Sequence, residues 1–146
     1  MLALRCSSCM PLNAVVENAE RNFSPALLLC PRAIEGRTGM ELEFAFCLAS
    51  RAFEAKANIS TKISNEALLF LSREQNFGSA LKSIGANDAR DFVLVCGKNF
   101  PMAMVKEQLG LVSAKKITLS RMGKKKGAYF EGERAVEEMA LARARN

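Results

Sequence analysis

Two cysteines at a redox spacing are the first residues in this sequence whose types could do chemistry. Cys6 and Cys9 stand in "CSSC", directly ahead of a predicted helix, and a helix N-terminus can lower the pKa of a thiol and make it nucleophilic. A zinc site would need two more ligands, whereas Cys30, Cys47 and Cys96 lie apart in apolar runs. The spacing leaves a thiol–disulfide oxidoreductase open as an alternative to two structural thiols at the end of a strand.

The absence of histidine restricts catalysis more than any other feature of the sequence. It excludes Ser-His-Asp, Cys-His and histidine-based metal sites, and it removes the commonest general base. The pair Gly97-Lys98 follows an apolar run as phosphate loops do, but Phe92 occupies the place where such a loop needs an earlier glycine. Any catalysis would therefore have to rest on carboxylates, lysine or cysteine alone. Our first expectation is a chain with no catalytic residue, no metal ligand, no cofactor and no small-molecule substrate.

Two other segments have residues that could contact RNA. "GRTG" (36–39) resembles the GxxG loop of KH domains, in which glycines let the backbone approach phosphates, although a plain loop leading into a helix has the same pattern. The stretch 115–127 holds six cations and no acid, which is typical of a solvated basic loop or of an RNA contact. Its candidate contacts are Lys124, Lys125 and Lys126. An independent RNA-binding domain that uses "GRTG" and this stretch is therefore an alternative function.

A further candidate is "LLFLSREQNFGSALKSIG" (68–85), which has the pattern of an apolar strand, a polar loop and a short amphipathic helix. Loops of this kind often hold ligands in α/β proteins, but this one has neither a glycine-rich cradle nor a nucleophile–base pair. Its helix places four apolar residues along one stripe: Phe77, Ala80, Leu81 and Ile84. The stripe is either part of a core or a docking face for a partner.

The composition is typical of a globular protein, and the positive net charge favours anionic binding partners. The 146 residues are 49% hydrophobic and 25% charged, which suits one ordinary domain. A formal net charge of +6 favours nucleic acid or acidic protein surfaces. Because no export signal and no apolar run of membrane-spanning length occurs, we expect a cytoplasmic protein with reduced cysteines and no membrane contact.

Hydrophobic periodicity predicts the elements that must position these residues. Strands are predicted at 1–6, 25–31, 64–72 and 89–97. Helices are predicted at 11–22, 40–56, 76–86, 101–111 and 131–146. The helix at 40–56 is apolar around most of its circumference, which is typical of a central, buried helix. Strands that alternate with helices indicate a single mixed α/β domain over residues 1–146.

Two stretches together resemble a known family. "LEFAFCLASRAFEAKANIS" (42–60) is similar to its central helix and the turn that follows, and "SNEALLFLSREQNFGSALKSIGANDARDFVLVC" (64–96) is similar to its most recognisable block. The family is the PRPK-binding protein group, the small kinase-regulating subunit of the KEOPS complex. The likeness depends on the joint spacing over residues 42–96 and not on any single motif.

The resemblance implies a non-catalytic subunit built from a small mixed β-sheet flanked by helices. Such a subunit binds and stimulates the small atypical kinase/ATPase of KEOPS, and it helps to hold tRNA, including its 3′ end, for the N6-threonylcarbamoyladenosine modification. By position, the RNA candidates are Lys56, Asn58, Lys62, Arg73, Gln75 and Asn76. The stripe of Phe77, Ala80, Leu81 and Ile84 becomes a face for the kinase or for the core.

This sequence departs from the family pattern in two places. Glu41 stands where the turn before the central helix often carries a histidine. "REQN" (73–76) replaces a loop that often has a glycine after its serine and an Arg-Gln pair. We therefore expect some RNA contacts to be weaker, or to have moved to the basic stretch 115–127.

Overall fold

The computed structural model describes residues 1–123, 125–126 and 129–144, those at 125, 126, 129 and 144 by their backbone only. The fold is α/β, as predicted, and the chain forms two compact units. The sheet unit comprises Met1–Ile34 and Ile84–Thr118, and the helical unit comprises Glu35–Ser83 and Leu119–Asn146. A single domain over 1–146 stays a prediction.

The helices and strands follow one another in a mixed order along the chain. The strands are β1 Leu2–Ser8, β2 Ala26–Leu29, β3 Phe92–Cys96, β4 Leu111–Lys116, β5 Lys125–Lys126 and β6 Tyr129–Phe130. The helices are α1 Leu12–Phe23, α2 Pro31–Ile34, α3 Gly39–Glu54, α4 Ile63–Ser72, α5 Phe77–Ile84, α6 Met102–Leu109 and α7 Glu131–Ala144. Three of the four predicted strands and all five predicted helices are confirmed within the described residues.

A four-stranded sheet in the order β2-β3-β1-β4 organises the sheet unit. Every neighbouring pair in it is antiparallel, so the mixed sheet implied by the resemblance is wrong for this chain. All five residues of β3 are buried, because β3 lies between β1 and β2. The predicted alternation of buried and exposed residues in β1 is confirmed at its centre, where Leu4 and Cys6 are buried and Arg5 is exposed.

The core of the sheet unit forms where α1 and α6 cover this sheet. Val15, Ala19 and Phe23 of α1 recur at helical spacing and are fully buried. The Phe23 ring meets the Phe100 ring edge to face, with centroids 5.0 Å apart. Burial of one such phenylalanine stabilises the fold by roughly 2–3 kcal/mol, so this cluster anchors α1 on the sheet.

Three helices, α3, α4 and α7, contact one another pairwise in the helical unit. The Thr38 side chain accepts a hydrogen bond from the Glu41 N–H at 3.2 Å and so caps the start of α3. The predicted central helix is thereby confirmed, although one line of α3 is exposed. This line consists of Glu43, Cys47, Arg51 and Glu54. Among the described helices, none is both long and apolar enough to cross a membrane.

The strand predicted at 64–72 is wrong, because this segment is helix α4. A short apolar run fits a buried strand and a buried helix equally well by periodicity. Here the run contains no β-branched residue after Ile63, and it holds three leucines and one alanine, which favour helices. Nearly the whole of α4 is buried, so no polar face was present in the sequence to show the helical period.

Candidate functional site

Helix α4 separates the predicted RNA-contacting residues into two groups. Lys62 is the N-cap of α4 and Arg73 is its C-cap, and the rise of an α-helix places these two residues roughly 16 Å apart. Lys56 and Asn58 precede Lys62 in one loop. Gln75 and Asn76 follow Arg73 in the other. The fold therefore presents two polar loops in place of one continuous patch.

The loop before α4 presents two lysines to solvent. Lys56 follows the last turn of α3 with a backbone φ of 56°, and Lys56 and Lys62 are both exposed. Asn58 is also exposed, and its Nδ2 donates to the Ser60 carbonyl at 2.8 Å. Within the described part of the chain neither lysine ammonium has an ion-pair partner. Both charges are therefore available to phosphate groups.

A buried carboxylate shapes this same loop. Glu66 is 0% exposed, and its Oε2 accepts the backbone N–H groups of Ile59 and Ser60 at 3.0 and 2.8 Å. Its Oε1 accepts from Nη1 of Arg143 at 2.8 Å. The sequence reasoning missed Glu66 because it assigned the segment to a strand. A helical assignment would have placed Glu66 on the same face as Phe70, four residues later.

Arg143 closes this buried cluster from the last turn of α7. Its guanidinium lies 3.9 Å from the centroid of the Phe70 ring, a cation–π arrangement. The Arg143 side chain is 22% exposed, and its Nη2 is buried and has no hydrogen-bond partner among the described residues. Arg143 also lines a shallow depression together with Arg73, Gln75 and Met139. The sequence contains no signal for this role, since Arg143 stands among other arginines in a polar helix end.

The loop after α4 holds its arginine against acids. Arg73 adopts φ of 60° at the end of the helix, and its Nη2 lies 3.3 Å from Glu138 and 3.9 Å from Glu41. Glu41 is buried and also accepts from Nη1 of Arg37 at 2.7 Å. The position where the family often has histidine is thus the centre of an ion-pair network. Because Arg73 is already paired, it is a weaker RNA candidate than Lys56 or Lys62.

The two amides of that loop serve the chain itself. Asn76 is exposed, and its Oδ1 accepts the Ser79 N–H at 3.2 Å, in the manner of a cap for α5. Gln75 is half-buried at the rim of the depression. Both residues lie in the loop after α4, as predicted, but the hydrogen bond of Asn76 stabilises α5.

The stripe on α5 divides into an inner and an outer pair. Ala80 and Ile84 are buried, whereas Phe77 and Leu81 are 36% and 43% exposed. Members of each pair are four residues apart and so lie on one side of the helix. The core interpretation is therefore confirmed for Ala80 and Ile84 only, and a docking face at Phe77 and Leu81 stays a prediction.

The three candidate lysines of the basic stretch 115–127 have no described side chains. Lys124 is outside the described residues, and Lys125 and Lys126 are described only by their backbone, which pairs with Tyr129 and Phe130 as β5 and β6. An RNA contact through these lysines stays a prediction.

The "GRTG" loop is engaged in starting α3. Gly36 has φ of 74°, the Thr38 side chain is the buried helix cap, and Gly39 is already helical. Arg37 is held by Glu41 and donates to the Leu71 carbonyl at 3.3 Å. Because the basic residue of the motif is occupied by an acid, the geometry does not favour the phosphate-binding loop of a KH domain.

The "CSSC" thiols lie in different surroundings. Cys6 is buried in the middle of β1, and this burial raises the pKa of its thiol to about 12. Cys9 is exposed beyond the end of the strand, and both thiols are free. A redox motif needs a thiol with a lowered pKa, so the raised pKa of Cys6 opposes the oxidoreductase alternative.

Neither a family model nor a curated protein matches this chain. Among the described residues, no three cysteine, aspartate or glutamate side chains converge in a way that could hold a metal ion. The candidate site therefore consists of the loop with Lys56 and Lys62, the buried pair Glu66 and Arg143 that shapes it, and the exposed side of α5.

Proposed function

We propose that this chain is a non-catalytic regulatory subunit of a KEOPS-type complex. It binds and stimulates the small atypical kinase/ATPase of the complex, and it helps to hold the 3′ end of tRNA for the N6-threonylcarbamoyladenosine modification. It acts in the cytoplasm and supplies no catalytic residue, metal or cofactor. The resemblance of residues 42–60 and 64–96 to the PRPK-binding protein family supports this proposal.

The exposed side of α5 is the observation that carries kinase binding. Phe77 and Leu81 lie one turn apart at the surface, while Ala80 and Ile84, on the adjoining line of the same helix, are buried. A partner can thus cover a rigid apolar pair without unfolding the helix. Covering the exposed part of both side chains stabilises a complex by roughly 2 kcal/mol.

The loop before α4 supports the tRNA part of the proposal. The ammonium groups of Lys56 and Lys62 are exposed and unpaired within the described residues, and Asn58 lies between them in the sequence. Lysines of this kind neutralise phosphates without reading sequence. Such contacts suit the binding of an RNA end, and the hydrogen bonds that Glu66 accepts from Ile59 and Ser60 keep the loop ordered.

Kinase binding is tested by one charge placed on α5. Leu81→Asp should weaken binding to the purified KEOPS kinase of the same organism at least about tenfold, measured by calorimetry. Met104→Asp is the matched control, since Met104 is 40% exposed on α6 of the sheet unit. Binding that is unchanged by Leu81→Asp, or absent in the unsubstituted protein, would contradict the proposal.

Binding to tRNA is tested by removal of the two loop lysines. The double variant Lys56→Ala, Lys62→Ala should bind tRNA more weakly, and the slope of log K against log salt should fall by about 1.4 to 1.8. Lys98→Ala, Lys106→Ala is the control pair, because both residues are exposed in the sheet unit. A tRNA lacking its 3′-terminal nucleotides should bind the unsubstituted protein as weakly as intact tRNA binds the variant. An equal loss of tRNA affinity in both double variants would contradict a specific role of Lys56 and Lys62, because it would show that net charge alone determines binding.

A further inference from the structure

The two edges of the sheet in the sheet unit differ in how they are covered. Along β2 the edge is occupied, since Ala86 N–H donates to the Leu28 carbonyl and Cys30 N–H donates to the Ile84 carbonyl, both at 3.0 Å. At the opposite edge is β4. Among the residues that the structure describes, none bonds to the backbone of β4 from its outer side. A strand edge of this kind is a template for another strand.

The register with β1 identifies the groups on that edge. Ile117 N–H donates to the Ala3 carbonyl at 2.9 Å, so this pair is a hydrogen-bonded one. Because such pairs alternate in an antiparallel ladder, Lys115 also bonds inward to β1. Ala114 and Lys116 lie in the non-hydrogen-bonded positions, and their N–H and C=O groups point away from the sheet. The edge thus presents two donors and two acceptors at strand spacing.

The side chains along this edge specify the chemistry of a matching strand. Lys115 and Lys116 are both exposed and, as neighbours in a strand, project to opposite faces. Val112 is 73% exposed, the largest value among the exposed large apolar side chains described. A strand that carries acidic side chains on both faces beside the lysines, and an apolar one beside Val112, would complement this edge.

Two other occupants fit the edge less well. A second copy of β4 would bring Lys115 and Lys116 of each chain close together, and like charges on paired strands are destabilising. An RNA strand would use the lysines but would leave Val112 and the outward N–H and C=O groups uncovered. An added peptide strand uses all three features, because main-chain hydrogen bonds supply affinity and side chains supply specificity.

We infer that the β4 edge, with its outward backbone groups at Ala114 and Lys116 and its exposed Lys115 and Val112, docks an extended acidic segment of a partner protein as an additional antiparallel strand. This inference goes beyond the proposed function and does not rest on it, since β4 lies in the sheet unit, whereas Lys56, Lys62 and the exposed pair Phe77 and Leu81 lie in the helical unit.

The test uses the full chain and two capped synthetic peptides. The acidic peptide, TEETTVT, places its glutamates opposite the two lysines and its valine opposite Val112 when it runs antiparallel to β4. The basic peptide, TKKTTVT, differs only in charge. In an NMR titration the acidic peptide should shift the amides of β4, and hydrogen exchange at Ala114 and Lys116 should slow. The basic peptide should bind at least about tenfold more weakly.

Two variants separate backbone pairing from charge. Ala114→Pro removes one outward N–H and leaves the ladder to β1 intact, so the acidic peptide should bind at least about fivefold more weakly. Lys115→Glu, Lys116→Glu should exchange the preference and bind the basic peptide better. Lys106→Glu, on α6 and exposed, is the control that should change neither. If the proline variant does not fold, the change of peptide preference in the Lys115→Glu, Lys116→Glu variant still tests the inference.

Four results would overturn the inference. The first is a set of NMR shifts that maps away from β4, and the second is equal binding of the two peptides. The third is a dimer of the free chain in which the Ala114 and Lys116 amides are already protected from exchange. The fourth is protection of those amides by a single-stranded oligoribonucleotide but not by the acidic peptide. The third result would assign the edge to a second copy, and the fourth would assign it to nucleic acid.

Discussion

Arg143 donates from Nη1 to Oε1 of Glu66 at 2.8 Å, and this bond joins the last turn of α7 to the first turn of α4. The other oxygen of the same fully buried carboxylate holds the N–H groups of Ile59 and Ser60. One acid therefore fixes two helices and the loop between α3 and α4. The position of the exposed Lys56 and Lys62 depends on a contact that lies beneath the surface.

Removal of the Glu66 carboxylate should destabilise the protein strongly. Glu66→Ala leaves the guanidinium of Arg143 without its buried acid and leaves two loop N–H groups without an acceptor, so the free energy of unfolding should fall by about 3 kcal/mol. Urea denaturation measures the change. Glu43→Ala, at an exposed position of α3, should stay within about 0.5 kcal/mol. A loss below about 1 kcal/mol for Glu66→Ala would show that the buried pair is not a fixed part of the fold.

Secondary structure is predicted well from the sequence where a helix or strand has one exposed face, and poorly where the helix or strand is buried on all sides. Leu4, Cys6 and their exposed neighbour Arg5 show the strand period of β1 directly. In α4 nearly every residue is buried, so apolar side chains on all sides erase the helical period. The strand β4 was missed for the opposite reason. Its pattern of exposed residues, which includes Val112, Lys115 and Lys116, resembles a solvated loop, because no described residue bonds to its outer edge.

The candidate site was predictable in its exposed part only. Lys56, Lys62 and the outer pair Phe77 and Leu81 are at the surface, as polar loops and amphipathic helices usually are. The partners of Arg73 and Glu66 could not be predicted, because they come from α3 and α7, far away in the sequence. Tertiary pairing of this kind leaves no local periodicity.

Lys56 is placed at a backbone conformation that glycine adopts more easily. Its φ of 56° follows the end of α3, and the left-handed region strains a residue that has a Cβ by roughly 1 kcal/mol. Lys56→Gly should therefore raise the free energy of unfolding by about 0.5 kcal/mol while it weakens tRNA binding. Lys62→Gly is the control, since Lys62 has φ of −127° and gains nothing from glycine. Thermal and urea unfolding measure the stabilities, and a destabilised Lys56→Gly protein would contradict the expected relief of strain.

Gly110 combines a left-handed backbone with a close neighbour. It ends α6 at φ of 58°, and a Cβ built there would lie 2.8 Å from Cγ of Met10. Gly36 has φ of 74° but no atom within 4 Å of its Cβ position, so it isolates the backbone effect. Gly36→Ala should cost about 1 kcal/mol, and Gly110→Ala should cost more, about 2 kcal/mol, because Met10 must move. Equal losses in urea unfolding would mean that the Met10 side chain yields freely.

The buried thiols predict an alkaline loss of stability. Burial raises the pKa of Cys6 and of Cys96 from 9.0 to about 12. Below pH 9 the two thiols stay protonated in the folded and in the unfolded chain, so the free energy of unfolding is not reduced by their ionisation. Above pH 9 only the unfolded chain releases them, and the free energy of unfolding should fall toward pH 12 by up to about 1.4 kcal/mol per pH unit for each thiol. In urea unfolding between pH 8 and 10.5, Cys6→Ala, Cys96→Ala should show a shallower decline, because the lysines that also titrate in this range are common to both proteins. Parallel declines in the two proteins would place the alkaline sensitivity in groups other than these thiols.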